Sequence, residues 1–449
     1  MERDIVVIGG GPAGIAASWA SAKLGAKVLL VERYGFLGGM ATSGLVGSIL
    51  GHYLNEKEPA VSGFLKFLID ITNKLGGCEK WESAYKKYGI PFDSEILKIS
   101  SEKLLLQEKV EILYHSFVSG SKVENGEVKV IEVLNKSGKM KIKGKIFIDA
   151  TGDADIAYYC GFSYTKGRFF DGKMQSMGCI FKIAGIDEEK LTVEVIKEAG
   201  KKLNELREKG ELKIYNLGLG GKGSTIRKGE RSFNVMRFPG DGTDVSDLTK
   251  GEIFLRDQIY KYWKFLKENV PGFENSYISA LPPNIGVRET RQIKGLYTLT
   301  GDDILNAKKT DDSIARGTYW IDIHCPLGRT KDDVHICMKE CPTKEYCIAL
   351  DKYKDYLPSK NKLRVPENEW FSIPYKCLIP EKSKNLIVAG RCISADHIAM
   401  SSIRVMATCI ATGHAAGIAG FIALDRNITV DKIDAKEIQK YIEKQEGVY

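Results

Sequence analysis

The chain has 449 residues, 43% hydrophobic and 28% charged, a balance that excludes a mostly disordered protein and leaves room for two or three domains. Glycine fills 46 positions in short clusters without a period of three, which excludes collagen and points to tight turns and close backbone approach to a ligand. The net charge of +8 is the difference between 66 basic and 58 acidic residues, and no basic cluster carries interleaved aromatics, so nucleic acid is not an expected partner. Met1 to Asp4 lead directly into an apolar run with no cleavage site. The expected location is therefore cytoplasmic, and the ten cysteines are expected to be thiols or metal ligands, not a disulfide framework.

Asp4 to Ile8 read as a buried parallel strand. Gly9-Gly10-Gly11-Pro12-Ala13-Gly14 follows, then a small-residue helix from Ile15 to Leu24, a second strand from Ala26 to Val31, and Glu32. This is G-x-G-x-x-G in the context that dinucleotide binding requires. Gly9 permits the tight turn, Gly11 lets a pyrophosphate reach the backbone, and Gly14 lets helix and strand pack closely. The helix N-terminus attracts the phosphates, and Glu32 can accept from ribose hydroxyls. The glycine-rich run from Arg33 to Gly44 stands where a simple NAD domain would place a helix; it suits a longer ligand passing over the loop.

Helices are expected over 60–76 and 93–108, and alternating strands from Val110 to Lys145 around the turn Glu124-Asn125-Gly126. The strand Lys145 to Asp149 ends in Ala150-Thr151-Gly152-Asp153, and a charged helix is expected around Asp187 to Lys209. Gly218-Leu219-Gly220-Gly221-Lys222-Gly223 repeats the glycine pattern, but no apolar helix or acid-terminated strand follows, so it reads as a loop. Tyr319 to Ile323 read as an apolar strand ending at His324, and Asn385 to Val388 as a strand leading into Ala389-Gly390-Arg391. Ser401 or Ser402 can cap the long helix that follows. Within it, Val405 to Leu424 lacks any Lys, Arg, Asp or Glu and contains Gly413-x-x-x-Gly417. A membrane span would fit that pattern, but the Ala, Gly and Thr content, His414 and the adjoining Arg404 favour a buried core helix, and no membrane partner is expected.

The N-terminal glycine motif with Glu32 and Gly38-Gly39, the Ala150-Thr151-Gly152-Asp153 turn and the Ala389-Gly390-Arg391 segment resemble FAD-dependent oxidoreductases of the glutathione-reductase-like superfamily, in its fumarate-reductase-like flavoprotein subgroup. Supporting phrases are Gly286-Val287-Arg288-Glu289-Thr290-Arg291, Ile321-Asp322-Ile323-His324 and Arg391-Cys392-Ile393-Ser394. The resemblance implies an α/β fold: a three-layer, Rossmann-type FAD domain with a second, mixed α+β substrate domain. It implies that Gly9, Gly11, Gly14 and Glu32 hold the adenosine half, with Pro12, Ala13 and Arg33 beside them. Gly38, Gly39, Met40, Ala41, Thr42, Ala150, Thr151, Gly152 and Asp153 would serve the pyrophosphate and ribityl chain. Gly390, Arg391 and Ser401 would lie at the flavin, where a helix N-terminus would stabilise the reduced ring. The FAD domain is then discontinuous, 1–165 and 366–449, with the substrate domain at 166–365.

Flavin chemistry needs a proton-handling group and often a cation for an anionic substrate. Arg288 and Arg291 would share one face of a helix, with a solvated surface pair as the alternative. His324 and His397 are proton-handling candidates, with core packing as the alternative for each. Arg404 in the first turn of a helix opposes the dipole, which calls for an anionic partner. Cys325, Cys337, Cys341 and Cys347 form a cluster at about 325–347 that reads as an insertion. Four thiolates there could hold a [4Fe–4S] cluster; zinc and unliganded cysteines are the alternatives. The expected activity is hydride or electron exchange between FAD and a small polar or anionic molecule. The alternative is electron transfer through the cysteine cluster to a redox protein partner.

Overall fold

The computed structural model describes residues 2–169, 171–327 and 363–449. At its centre lies a seven-stranded sheet. Glu2–Ile8 runs parallel between Val28–Val31 and the long strand Gly138–Asp149, with Ile5 opposite Val28 on one side and Ile146 on the other. Glu111–Leu113 and Leu386–Val388 extend the parallel part. Ile5 to Ile8 are all buried, which explains a uniformly apolar run: a parallel strand covered on both faces has no solvent side to alternate with. The first half of Gly138–Asp149 pairs antiparallel with Glu127–Asn135, which folds back onto Phe117–Glu124. Asn125 and Gly126 make that turn at φ of 52° and 79°, conformations these two residue types tolerate.

The helices Pro12–Lys23 and Met406–Arg426 pack against each other across small residues. A Cβ at Gly413 would stand 2.1 Å from the Ala13 carbonyl oxygen, and one at Gly417 2.3 Å from that of Ala17. The G-x-x-x-G spacing is thus a helix seam inside the protein. Met406–Arg426 is the one described helix long and apolar enough to cross a membrane, and 89% of that apolar window is buried. Its start differs from expectation. Ser401 and Ser402 lie inside a separate short helix, His397–Ile403, which Asp396 caps; Val405 begins the long helix with no side-chain cap.

A second core gathers residues from Met177 to Ile285. Phe181–Ala184 lies between Arg231–Phe233 and Tyr277–Ala280, antiparallel to both. The charged helix forms at Val193–Glu208 and a longer one at Val245–Asn269. Phe181 stacks on Phe233 with centroids 5.3 Å apart, and Tyr262 meets both edge-on. Truncating a buried ring of this kind typically costs about 3–5 kcal/mol. Buried residues from Ile293 to Ile323, with Leu363 and Val365, pack into the first core instead.

Two further expectations change. Tyr319 to Ile323 form no strand: Ile321 donates to the Leu363 carbonyl at 2.9 Å, but no ladder builds on that bond. Arg288 and Arg291 do not share a helix face, because the segment is extended and Arg291 opens the strand Arg291–Ile293.

Candidate functional site

The parallel strands Glu2–Ile8 and Gly138–Asp149 end side by side, and a cleft of about 1020 Å³ opens at their carboxyl ends. Glycine geometry shapes it. Gly9 has φ +98°, and a Cβ there would collide with the Ala150 carbonyl oxygen at 2.4 Å. At Gly14 a Cβ would come within 1.8 Å of the Gly9 oxygen, so helix and turn touch backbone to backbone. Gly11 differs: a Cβ there meets only the Gly39 Cα, at 3.7 Å, because Gly11 faces the cleft itself. At one end of the cleft Glu32 is buried. Its carboxylate accepts from the Gly10 N–H at 2.5 Å and from the Tyr34 N–H at 2.9 Å, while burial raises its pKa above the ordinary range.

Two helix N-termini converge on this cleft, since Pro12 and Ala13 line it from one helix and Met406 and Cys409 from the other. Neither has a side-chain cap, whereas Asp93, Thr192, Asp244 and Asp434 cap theirs. Uncapped N–H groups and about half a positive charge at each end suit an anionic or electron-rich ligand. A pyrophosphate fits beside Gly11, a ribose beside Glu32, and a flavin ring beside the Met406 end, so the residues present fit FAD.

Of the expected FAD contacts, Gly9, Gly11, Pro12, Ala13, Glu32 and Arg33 line the cleft, as do Gly39, Met40, Ala150, Thr151, Gly152, Gly390 and Arg391. The others act behind the wall. Gly38 donates its N–H to the Gly10 carbonyl, the Thr42 hydroxyl bonds the Leu37 carbonyl at 2.7 Å, and Ala41 is buried. Asp153 is engaged by Arg391 and by the Thr290 hydroxyl, and Ser401 bonds the Ile398 carbonyl. Tyr34, Ser116, Asp155 and Cys409 line the cleft without having been expected. Burial, then the Asp153 and Asp149 charges, push the Asp155 carboxyl up to about 6 against the pull of Arg291.

Arg404 and Met406 also line a second chamber that continues from the cleft, bounded by Arg288, Tyr319, Asp322 and His324. Arg404 donates to the Asp322 carbonyl at 2.7 Å and to its carboxylate at 3.2 Å. Here the structure corrects the dipole argument: Arg404 is the C-cap of His397–Ile403, where a cation is favoured. Its anionic partner, Asp322, is nonetheless present. His324 Nε2 lies 3.4 Å from the other Asp322 oxygen. Burial drives the His324 imidazole well below its usual value, so it is neutral at pH 7. Burial works against charge on Asp322 too, but the His324 contact and the Arg404 and Arg288 charges outweigh it and hold the carboxylate ionised.

The cations outnumber that carboxylate. Arg237 is buried and Arg288 partly buried beside Asp322 and Arg404, whose charges act on both. Burial pushes Arg237 down to about 10 and Arg288 well below its usual value. A guanidinium does not give up its proton in practice, so both side chains stay charged here. Arg288 spends one bond on the Ser176 carbonyl at 2.7 Å. Arg404 Nε and Arg237 Nε are buried with no partner. Sequence reasoning missed Asp322 and Arg237 as site residues. Asp322 and His324 are two apart in an extended stretch and share a face, and Arg237 interrupts the apolar run Val235-Met236 and Phe238; both signals were present.

The other candidates sit elsewhere. His397 Nδ1 pairs with the buried Glu289 carboxylate at 2.7 Å, a contact that ties the His397–Ile403 helix to the loop behind the chamber. Arg291 bonds Asp155 at 3.0 Å and stacks over Tyr158 at 4.2 Å, on the cleft's outer wall and not in the chamber. Cys325 is buried beside His324, while Cys337, Cys341 and Cys347 lie outside the described residues. Among the described residues no three His, Cys, Asp or Glu side chains group as metal ligands.

The model of the family described as FAD dependent oxidoreductase matches residues 4–442. The chain belongs to that family. Relatives by sequence are similar over shorter stretches. A thiamine thiazole synthase of Aeropyrum pernix is 49% identical over 39 residues, 9% of this chain and 14% of its own. Digeranylgeranylglycerophospholipid reductase 2 of Methanopyrus kandleri is 26% identical over 161 residues, 34% of this chain and 38% of its own. The tRNA uridine 5-carboxymethylaminomethyl modification enzyme MnmG of Thermus thermophilus is 27% identical over 178 residues, 37% and 28%. The chain therefore spans well under half the length of these relatives. Among solved structures, the flavin-dependent brominase Bmp2 aligns over 99% of this chain and 84% of its own at 12% identity and TM-score 0.47. A geranylgeranyl bacteriochlorophyll reductase-like protein of Thermoplasma acidophilum aligns over 99% and 83% at 13% identity and TM-score 0.44.

Proposed function

We propose that this FAD-dependent oxidoreductase acts on a small anionic molecule bound in the chamber between Arg288, Arg404 and His324. The observation that supports it is the charge imbalance: one buried and two partly buried arginines face one carboxylate, and two of their Nε–H groups are unpartnered. FAD supplies hydride or electron exchange with a substrate carbon when bound. Arg404 lines both the flavin cleft and the chamber, so it holds the anionic group next to the ring. Asp322 orients Arg404 and fixes the His324 tautomer with Nε2–H toward its carboxylate. His324, beside that carboxylate, is the group that takes or returns the substrate proton.

The test uses purified flavoprotein, reduced anaerobically and mixed with small α,β-unsaturated carboxylates, whose double bond can take up a hydride and a proton, and with their neutral amides. Faster reoxidation by a carboxylate than by its amide, lost in Arg404→Met, supports the reading. Equal rates with both would overturn it.

A second reading starts from Cys325, which is buried and follows His324 in the chain. In it a [4Fe–4S] cluster held by Cys325, Cys337, Cys341 and Cys347 serves a redox partner protein. About four iron atoms per chain after anaerobic purification supports it; iron-free protein overturns it.

A further inference from the structure

The glycine-rich run 218–223 leads into turns and not into a helix, and its backbone is held by buried side chains. The buried Tyr262 hydroxyl donates to the Gly218 carbonyl at 2.6 Å. The buried Arg231 guanidinium donates to the Leu219 and Gly220 carbonyls at 3.2 and 3.1 Å, while its other face is neutralised by Glu188. Gly220 sits at φ +68°, and a Cβ there would meet the Ser232 carbonyl oxygen at 2.9 Å. Leu219 is turned into the protein, so Gly218, Gly220 and Gly221, in a stretch pinned through its carbonyls, present a bare backbone surface.

That surface walls a third chamber. Asp322, His324 and Tyr319 line both it and the anion chamber, so the two are continuous. Four aromatic side chains line it, Tyr88, Tyr215, Tyr319 and Trp320, and the polar Asn216, Ser232, Asn234 and Arg364 stand between them. Tyr88 stacks on Tyr319 at 6.3 Å and 29°, Tyr319 packs on Trp320 at 6.0 Å, and Tyr215 stands edge-on to His324 at 6.1 Å. Tyr88 is 48% exposed, so one side of its ring is open to solvent. Arg237 lies over the Tyr215 ring at 4.0 Å. Its Nη1 is used by the Asn234 side chain and the Met236 carbonyl, and its buried Nε has no partner.

We propose that this chamber receives a planar aromatic ring, so that the molecule taken by the protein is an aromatic carboxylate whose anionic end reaches the arginines beside the flavin. The proposal rests on the anion-chamber reading above and adds the body of the ligand to its head. A bare glycine wall admits a flat group close to the backbone, as glycine does wherever a ligand must approach closely. The tyrosines and Trp320 offer ring faces and edges to it, and Arg237 offers a cation to its π face or to a ring substituent. A simple aliphatic acid would fill the inner chamber and leave these walls unused.

The experiment titrates the purified flavoprotein with acetate, benzoate and 2-naphthoate, read by the shift in the flavin absorption spectrum and by quenching of tryptophan fluorescence. A Trp320→Phe variant identifies the quenched residue. The expected order is 2-naphthoate tightest, then benzoate, then acetate, with about tenfold between the extremes from ring contacts alone. Tyr88→Ala, at a half-exposed position, should shrink that preference and leave acetate binding unchanged. Acetate binding as tightly as the aryl acids, or Tyr88→Ala weakening all three equally, overturns the proposal and leaves the anion chamber standing. Absence of binding by all three to yellow protein overturns both.

Discussion

The flavin cleft and the chamber beside it are built on opposite principles. The cleft is made of backbone: Gly11 and Gly39 face it, and two helices end at it without side-chain caps. Only Glu32 and a few flanking side chains add chemistry. The chamber is made of side chains brought from three distant places, Arg288, Asp322 with His324, and Arg404, with Arg237 on the adjoining chamber. The difference teaches where tolerance lies. A backbone site fails when a Cβ is added, and a side-chain site fails when a charge is removed.

The largest effect separates the two glycine roles. Gly11→Val should fold, because only the Gly39 Cα lies near its Cβ, yet it should purify without yellow colour since the side chain fills the pyrophosphate position. Gly14→Val should fail to fold, with its Cβ 1.8 Å from the Gly9 oxygen. A fully flavinylated Gly11→Val protein would break the backbone half of the comparison. Absorbance at the flavin bands of the two purified variants decides it.

Acid probes the buried groups of the first core. Burial pushes His52 and His414 down from 6.5 to about 4. Between those values the unfolded chain binds protons that the native state refuses. Stability is therefore full above pH 6.5 and falls as pH drops toward 4, by at most about 3 kcal/mol for each histidine. Urea unfolding at pH 7 and 4.5 measures the loss, and His414→Gln should flatten it; an unchanged slope would return the acid sensitivity to other groups.

On the chamber side, Arg404→Met should retain FAD and lower affinity for a carboxylate by about 2 kcal/mol, as expected when a desolvated charge pair loses one member. A change smaller than tenfold would make Arg404 a structural partner of Asp322 alone. Smaller still, Tyr262→Phe removes one bond to the Gly218 carbonyl and should cost about 1 kcal/mol. Equilibrium unfolding reads that loss.

The same contrast governs what the sequence made legible. Backbone sites leave local signatures, so the turn Gly9 to Gly14, Glu32, Ala150 to Gly152 and Gly390 could be placed on the cleft from spacing and resemblance. Side-chain sites depend on which distant segments meet. Arg288 and Arg404 are far apart in the chain and share a chamber only through packing. His397 and Arg291 had the right chemistry but found structural partners, Glu289 and Asp155. Ser401 looked like a cap because the break between His397–Ile403 and Met406–Arg426 leaves no glycine or proline to mark it.

The central claim is that an anion belongs in the arginine chamber, against the flavin. Titrating yellow wild-type protein with acetate and with acetamide tests it most directly, with the flavin spectrum as the readout. The account predicts a saturable spectral shift with acetate alone, abolished in Arg404→Met while the bound flavin remains. A shift of equal size with acetamide, or one that survives in Arg404→Met, would contradict it.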